Sequence, residues 1–547
     1  MQLTDEQSTA VELATQGVSL KIEAGAGTGK TATLQAIGEA LAPRRGLLLA
    51  FNRAMREDAE RRMPTNVTAK TFHALAFAAV GRHFQHRLEA RLTPPLVQQR
   101  FSIRPLQMGN RLISAEKIAV AVLGTVYRFC QTMDTDPGAQ HVPQQALLEV
   151  TPPPHRSRLQ DPQFATHLAD ILFSALSAPV AALWSELIDV QSDFPIFHDV
   201  YLKIWAMSQP LLPYDFLLVD EAQDSNPLML SVVSRQPALT IYVGDPYQQM
   251  YSWRGAENAM RLAPADQSTR LTQSFRFGQA VADVANASLQ HFLGIDFGLR
   301  GLPEKDSKVA PIERPDWILC RSNAAAIAEI LALRLQDQRV AFLGNERDIR
   351  NFLQGAQQLL SGQPVTLPDF AGFSAWEEVR EFAESPMGSS WRPLVRLVDQ
   401  HSPGHLLRAI DTLEKDETTA DVLVSTVHQA KGRQATKVRL ADDFIGIDHP
   451  QYTPEEANIA YVAVTRAQEH LDIVSCSALG PVRQALFPTS MATSEPISGR
   501  NPEPVLSVPL PQSTWDAMRQ LWGEDFEQIA IRHVTNLLET SIRENSP

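Results

Sequence analysis

Short apolar runs, each long enough for one buried strand, recur along this chain and alternate with stretches of helical periodicity. The first run, Val18 to Ile22, precedes a glycine-rich turn and then apolar positions at helical spacing from Thr31 to Leu41. Alternation of buried strands with helices is typical of α/β folds that contain a parallel sheet. Later runs that fit the same pattern are Phe216–Val219, Leu239–Val243, Trp317–Cys320, Val340–Leu343, Val422–Ser425 and Leu471–Ser475.

The turn after the first run has the composition of a phosphate-binding loop. Its residues are small, with Ala24 at the position where the usual pattern has glycine, and Lys30 and Thr31 open the helix. In such a loop backbone N–H groups surround the phosphates, the lysine adds a positive charge, and the threonine hydroxyl binds Mg²⁺. The sequence therefore predicts a nucleoside triphosphate site formed by Ala24, Gly25, Ala26, Gly27, Thr28, Gly29, Lys30 and Thr31.

A second apolar run ends in two acidic residues. Asp220 and Glu221 directly follow Phe216–Val219. Phosphoryl transfer to water needs a metal ion and an activated water molecule. We therefore expect Asp220 to hold Mg²⁺ together with Thr31, and Glu221 to orient or deprotonate the water.

Length and composition limit the class of protein. A chain of 547 residues with 44% apolar residues suggests three or four domains, each with its own core. The cysteines Cys130, Cys320 and Cys476 are widely spaced, which disfavours a disulfide framework and a zinc site. Because no signal-like N-terminus and no run of 18 apolar residues occurs, we expect a cytoplasmic protein with no membrane contact.

The net charge of -13 hides a locally basic segment from Val80 to Cys130. Only Glu89 and Glu116 oppose its positive residues. Two interpretations stay open with equal weight, a surface that meets a phosphate backbone and an ordinary solvated helical surface. The positive residues are Arg82, Arg87, Arg91, Arg100, Arg104, Arg111, Lys117 and Arg128.

The spacing of the motifs predicts an insertion in the first α/β unit. Lys30 and Asp220 are 190 residues apart, which is more chain than a compact nucleotide-binding unit needs between these strands. We expect residues 81–199 to form short helices joined by loops, including the patch from Phe164 to Leu183.

The end of the sequence differs in composition from the rest. Residues 488–511 hold six prolines among Ser, Thr and Glu, which is typical of a linker. Residues 512–547 read as a helical tail with an apolar stripe. This stripe has two interpretations, docking on the rest of the chain, which we favour, and docking on a protein partner.

Further motifs complete a recognisable set between residues 3 and 475. Their identity and order resemble the superfamily 1 UvrD/Rep-type DNA helicases. Ala50–Arg53 and Leu440–Phe444 further resemble the helicase part of the F-box DNA helicases and their bacterial relatives, without an F-box. The motifs are Leu3-Thr4-x-x-Gln7, the loop before Lys30, Thr71–His73, Asp220–Asp224, Gly244–Ala256, Gln273–Arg276, Thr426–Gly432 and Tyr461–Ala467.

This resemblance implies two RecA-like P-loop cores with mainly parallel sheets and a helical insertion in each. The first core comprises residues 1–80 and 200–275, with the insertion 81–199. The second core comprises 276–344 and 416–480, with a reduced insertion at 345–415.

The resemblance also implies roles around ATP. Gln7 reads the adenine edge and Phe275 stacks on its ring. Gln248 senses the γ-phosphate, and Arg276 and Arg466 act as arginine fingers. The resemblance places Gly432 and Gln434 near the sugar of the nucleotide, and Gln434 occupies a position where the family usually has Glu.

The partner that the resemblance implies is single-stranded DNA and its junctions with duplex. An aromatic platform on which bases stack is implied for Tyr251 and Trp253, beside Arg254. The implied activity is an ATP-dependent helicase of 3′ to 5′ polarity in DNA repair or recombination. The alternative is a translocase subunit that strips proteins from DNA or serves a partner nuclease. The other implied strand contacts are Phe51, Asn52, Thr71, Phe72, His73, Thr426 and His428.

Overall fold

A computed structural model of the chain describes residues 3–90, 92–109, 111–151, 158–159, 161–250, 259–363, 365, 367, 370, 373, 375–384, 391–449 and 452–487. These residues belong to one compact unit that ends at Phe487. The linker and tail predicted for 488–511 and 512–547 lie outside the described residues.

The strands are short, as expected for buried parallel strands. In chain order they are β1 (Leu20–Ala24), β2 (Gly46–Ala50), β3 (Val67–Thr71), β4 (Leu106–Met108), β5 (Arg111–Ile113), β6 (Phe216–Val219), β7 (Leu239–Gly244), β8 (Gln267–Leu271), β9 (Lys308–Val309), β10 (Trp317–Cys320), β11 (Val340–Leu343), β12 (Val422–Thr426), β13 (Ala435–Leu440) and β14 (Ala467–Asp472).

Helices cover the faces of the sheets and build the insertions. They are α1 (Asp5–Thr15), α2 (Lys30–Ala40), α3 (Arg53–Arg62), α4 (Phe72–Ala79), α5 (Pro94–Arg100), α6 (Ala115–Phe129), α7 (Gln144–Val150), α8 (Pro162–Ile188), α9 (His198–Met207), α10 (Pro227–Ser234), α11 (Ala259–Leu262), α12 (Gln279–Leu293), α13 (Asn323–Arg334), α14 (Glu346–Leu360), α15 (Trp376–Glu384), α16 (Arg392–Gln400), α17 (Pro403–Asp411), α18 (Val427–Ala430), α19 (Pro454–Val464) and α20 (Gly480–Leu486).

The first sheet has the strand order β3-β2-β6-β7-β1-β8, and every neighbouring pair is parallel. Strand β1 lies between β7 and β8, with Leu20 opposite Ile241 on one side and Gln267 on the other. Because all strands point the same way, the segments that follow β1, β6 and β7 meet at one edge of the sheet. This edge holds the phosphate-binding loop and the acidic pair.

The second sheet has the order β11-β12-β10-β13-β14-β9 and is also parallel throughout. Its strands lie at 308–343 and 422–472, either side of helices α14 to α17. The predicted α/β class with two largely parallel sheets is therefore confirmed. The last strand begins and ends earlier than its apolar run predicted, at Ala467 and Asp472.

The first insertion differs from its prediction. Residues 164–183 belong to one helix of 27 residues, α8, and not to short helices joined by loops. Its buried positions, among them Leu172, Leu176 and Leu183, lie three or four residues apart and pack continuously on the insertion core. Pro179 lies inside this helix without ending it. The antiparallel pair β4–β5 was not predicted at all.

Helix α8 is also long and apolar enough to cross a membrane, by length and composition alone. A core helix of a folded domain passes the same test, and one face of α8 packs in the hydrophobic core. The length and composition of α8 are therefore weak evidence for a membrane-spanning segment.

Candidate functional site

The phosphate-binding loop joins β1 to α2 and is held in a glycine-dependent conformation. Gly27 and Gly29 have φ angles of +74° and +80°, a region in which other residues are strained. A Cβ on Gly27 would lie 2.6 Å from the Arg276 Cβ and from the Ser274 Oγ. Inside the loop the Thr28 Oγ1 donates to the Gly25 carbonyl at 2.9 Å. Helix α2 begins at Lys30, so its free N–H groups face the loop, as anion binding requires.

The acidic pair lies beside this loop. The Lys30 Nζ lies 3.6 Å from the Glu221 Oε2, and both side chains are largely buried. Burial, and then the neighbouring Glu221 charge, raise the pKa of Asp220 to about 7. Burial alone would also raise the pKa of Glu221, but Lys30, followed by Lys431, outweighs it and lowers that pKa to about 2. Glu221 is therefore the ionised member of the pair.

The position of Asp220 suits a divalent cation. A half-buried carboxylate whose pKa is raised has too little neighbouring positive charge to balance its own negative charge. Together with the Thr31 hydroxyl it offers the hard oxygen ligands that Mg²⁺ prefers. The two predicted metal ligands therefore fit the ion by their chemistry.

Gln223 orients Glu221, and the sequence analysis assigned it no role. The Gln223 Nε2 donates to the Glu221 Oε2 at 2.6 Å, and its Oε1 accepts from the Asp245 backbone N–H at 3.1 Å. Glu221 itself has a φ of +48°, an uncommon backbone conformation for a residue other than glycine. The amide of Gln223 thus ties the end of β6 to the end of β7.

Asp245 and Tyr461 connect the two cores. The Tyr461 hydroxyl donates to the Asp245 Oδ2 at 3.3 Å and accepts from the Ala26 backbone N–H at 3.2 Å. Gln248 donates to the same Asp245 oxygen at 2.6 Å. Asp245 and Tyr461 are both fully buried, and burial raises the pKa of each. Tyr461 therefore links the phosphate loop to the predicted γ-phosphate sensor.

The two predicted arginine fingers reach this same place. The Arg466 Nη2 lies 3.4 Å from the Gln248 Oε1, and the Arg276 Nη1 donates to the Thr465 carbonyl at 2.8 Å. Burial lowers the pKa of Arg276 and of Arg466, and the nearby Arg276 charge lowers the pKa of Arg466 further. The Arg276 Nε is buried and has no hydrogen-bond partner among the described residues. An unpaired buried donor beside the phosphate loop is consistent with an anionic ligand.

Lys431 forms a further contact between the cores that the sequence analysis missed. From the end of α18 its Nζ donates to the Asp224 Oδ2 at 2.6 Å and to the Gln248 carbonyl at 2.9 Å. Asp224 is buried, and its other oxygen has no partner among the described residues. The only sequence signal for this pair was the position of each residue inside a longer motif.

Gln7 and Phe275 lie at the start of α2, where an adenine ring is expected. A Cβ on Gly29 would lie 2.8 Å from the Gln7 Nε2 and 3.4 Å from the Phe275 ring. The Gln7 Oε1 accepts from the Thr4 backbone N–H at 3.0 Å. Because an amide oxygen has two lone pairs and the amide nitrogen two protons, Gln7 keeps the capacity for a two-point contact with adenine while this capping bond is made.

Gly432 and Gln434, predicted near the sugar, follow α18 on the surface. Gly432 has a φ of +84° and Gln434 is exposed. Between them, Arg433 forms an ion pair with Glu417. Among the described residues, no hydrogen bond joins Gly432 or Gln434 to the phosphate loop.

Two of the predicted DNA contacts of the first core also cap helices. Asn52 accepts from the Met55 backbone N–H at 2.9 Å, and Thr71 accepts from the Ala74 N–H at 3.0 Å. Phe51 is half-buried beside Asn52. Phe72 instead lies in the hydrophobic core with 5% of its surface exposed, so its side chain does not present a surface for DNA.

The remaining predicted contacts include two histidines. The His73 Nε2 lies 3.6 Å from the Asp199 Oδ1, and the ring also meets Tyr201 edge to face. His428 is half-buried, and burial lowers its pKa. Thr426 is buried at the end of β12. The predicted aromatic platform and its neighbour, Tyr251, Trp253 and Arg254, lie outside the described residues.

Much of the basic segment is used inside the insertion. Arg87 is fully buried and donates to the carbonyls of Glu186, Leu187, Asp189 and Phe194 near the end of α8. Other positive residues pair within the insertion, among them Arg100 with Glu186 and Lys117 with Glu149. The number of positive residues in this segment therefore overstates the positive charge that its surface presents to a ligand.

Two protein families match the chain. Residues 7–254 match a family described as an AAA domain, and residues 394–478 match the UvrD-like helicase C-terminal domain. The first match covers β1 to β7 with the first insertion, and the second covers the segment that carries Lys431 and Arg466.

Three curated proteins illustrate the similarity. F-box DNA helicase protein 1 of Schizosaccharomyces pombe is 29% identical over 86% of this chain and 57% of its own length. F-box DNA helicase 1 of Gallus gallus is 30% identical over 86% of this chain and 49% of its own. DNA helicase IV of Escherichia coli is 24% identical over 54% and 48%. The chain thus spans about half the length of these relatives.

Proposed function

We propose that this chain, which is similar to the superfamily 1 UvrD-like helicases, is an ATP-dependent DNA helicase that moves along single-stranded DNA. The observation that carries this proposal is the shared site between the cores. Lys30, Glu221 and Gln248 come from one core, and Arg466 and Lys431 reach them from the other. Such a site couples nucleotide hydrolysis to the relative position of two domains.

In the proposed reaction, Glu221 accepts a proton from a water molecule while the water oxygen attacks the γ-phosphorus of ATP. The bond between that phosphorus and the β,γ-bridging oxygen breaks, giving ADP and inorganic phosphate. Lys30, Arg276 and Arg466 would neutralise the charge on the transferred group. Mg²⁺, held by Thr31 and Asp220, would supply further positive charge at the phosphates.

The contacts between the cores support a cycle of closure and opening. The bonds of Tyr461 to Asp245 and of Lys431 to Asp224 exist only while the cores are together. Thr426, His428 and Lys431 lie within six residues of one another. A DNA contact at Thr426 or His428 is therefore close in the chain to the Lys431 contact at the ATP site. We propose that strand grip alternates with these bonds and that movement is 3′ to 5′, as the resemblance implies.

The first experiment measures ATP hydrolysis by the full chain with and without single-stranded DNA, over a series of salt concentrations. We expect strong stimulation by DNA that weakens as salt rises, because phosphate contacts release counterions. Lys30→Ala is the blank, and its turnover should fall to background. Turnover equal in the parent and Lys30→Ala would overturn the proposed activity.

A second experiment separates unwinding from the alternative function. Duplexes with a 3′ tail or a 5′ tail, one set carrying a tightly bound protein roadblock, are incubated with the chain and ATP. A helicase separates the 3′-tailed duplex. A translocase that only strips proteins displaces the roadblock and leaves the strands paired.

A further inference from the structure

A cleft of about 430 Å³ lies in the first insertion, and none of its lining residues belongs to the ATP site. One wall includes the apolar side chains of Phe101, Ile103 and Leu106, from the loop after α5 and from β4. The volume falls within the range of about 300–1,000 Å³ that is typical of ligand-binding clefts. It is large enough for a few apolar side chains of a bound molecule.

The other wall is the middle of α8. Ala175, Ala178 and Ala182 line the cleft there and are exposed. Between Asp170 and Glu186 this helix carries no charged residue over about four turns. The cleft is thus open along an uncharged helix, where it can receive an extended or helical segment of chain.

Two residues with polar side chains, Ser102 and Arg104, line this largely apolar cleft. Arg104 lines it, is exposed, and forms no ion pair or hydrogen bond with any described residue. One cation beside a largely apolar wall matches a ligand that carries a carboxylate next to apolar side chains.

We propose that this cleft docks a segment of a partner protein, an acidic amphipathic stretch. Its apolar side chains enter between α8 and the loop after α5, and an Asp or Glu pairs with Arg104. Charge complementarity selects this occupant. Nucleic acid would require several cations along its backbone, whereas Arg104 is the one cation in the lining. A second copy packed helix against helix would bring the same uncharged middle of α8, which offers Arg104 no carboxylate between Asp170 and Glu186.

The test uses the full chain and a displayed library of random 16-residue peptides. We expect enriched peptides to carry apolar residues three or four apart together with Asp or Glu. Ala178→Arg should fill the cleft and weaken their binding at least tenfold, and so should Arg104→Glu. Ala181→Arg, an exposed alanine of the same helix outside the lining, is the matched control and should bind normally. Unfolding temperatures show whether the three variants are folded. Because the readout is peptide binding, the test does not depend on helicase activity.

Charge reversal in the peptide sharpens the result. A peptide whose acid is replaced by Lys should lose binding to the parent and regain part of it with Arg104→Glu. Peptides that bind Ala178→Arg as well as the parent would overturn the proposal. So would a loss of single-stranded DNA affinity confined to Arg104→Glu, which would assign the surface to nucleic acid. Concentration-dependent dimers abolished by Ala178→Arg would assign it to a second copy.

Discussion

The Tyr461 hydroxyl of the second core donates to the Asp245 carboxylate of the first at 3.3 Å, with both groups fully buried. The same hydroxyl accepts from the Ala26 N–H in the phosphate loop. One oxygen atom therefore joins the loop, the strand end that precedes Gln248, and the helix that precedes Arg466. Removal of this atom tests how far the cores depend on each other.

Tyr461→Phe keeps the ring and removes both bonds of the hydroxyl. We expect the KM for ATP in the presence of single-stranded DNA to rise about 3- to 10-fold, as the loss of one buried hydrogen bond or two implies. DNA affinity without nucleotide should not change. Steady-state kinetics and fluorescence anisotropy measure these quantities. Tyr452→Phe, which removes a hydroxyl bond to the Phe292 carbonyl, is the control. Equal effects of the two substitutions would contradict a specific role for Tyr461.

Gln223→Ala should lower kcat about 10- to 100-fold and leave the KM for ATP nearly unchanged. The reason is that its amide holds the Glu221 carboxylate at 2.6 Å, and a misplaced catalytic group slows chemistry more than binding. Single-turnover hydrolysis separates the chemical step from product release. Gln236→Ala is a matched control, since among the described residues the Gln236 amide bonds to the Pro210 and Val232 carbonyls and to the Leu212 N–H, none of which belongs to the predicted ATP site. A parallel rise in KM would point to disruption of the whole site.

Arg87→Met should destabilise the first insertion by about 3 kcal/mol or more, because several buried carbonyls near the end of α8 lose their donor. The exposed Arg82→Met should change stability by less than about 0.5 kcal/mol. Urea unfolding measures both. Both unfolding measurements are made without DNA. If Arg87→Met folds but its DNA affinity depends on salt less steeply than that of the parent, Arg87 contacts DNA and the structural role is contradicted.

Lys203 should make stability depend on alkaline pH. Its Nζ is buried against the Thr132 and Asp134 carbonyls and the Phe129 ring, and burial lowers its pKa from 10.5 to about 8. Between these pH values the unfolded chain binds more protons than the folded chain, so this group's contribution to stability rises with pH. Relative to Lys203→Met, the parent should gain up to about 3 kcal/mol from pH 8 to 10.5. Urea midpoints of both proteins over this range give the difference, and a constant difference would contradict the shift.

The sequence was sufficient for the parts of the site that rest on local patterns. The loop from Ala24 to Thr31 and the acids at Asp220 and Glu221 follow buried strands, and parallel pairing brings those strand ends together. The α/β class follows from the same alternation. These features depend on neighbours a few residues away.

The features that were missed depend on distant partners. Tyr461 and Asp245 are 216 residues apart, and Lys431 and Asp224 are 207 apart, so no local pattern pairs them. Phe72 stands in a motif whose neighbours cap or flank the helix, but the motif does not reveal that this side chain faces the core. Counting charges along the chain likewise could not show that Arg87 is buried.

The position of β1 between β7 and β8 has a consequence for how this protein is made. Both sheet partners of β1 lie more than 210 residues later in the chain, the nearer one ending at Gly244. At a synthesis rate of about 5–20 residues per second, the ribosome adds the missing strand roughly ten to forty seconds after β1. During that interval the nascent strand that leads into Lys30 has no sheet to join. ATP can therefore assist folding only late, and any truncation before Leu239 removes the platform on which the nucleotide loop is built.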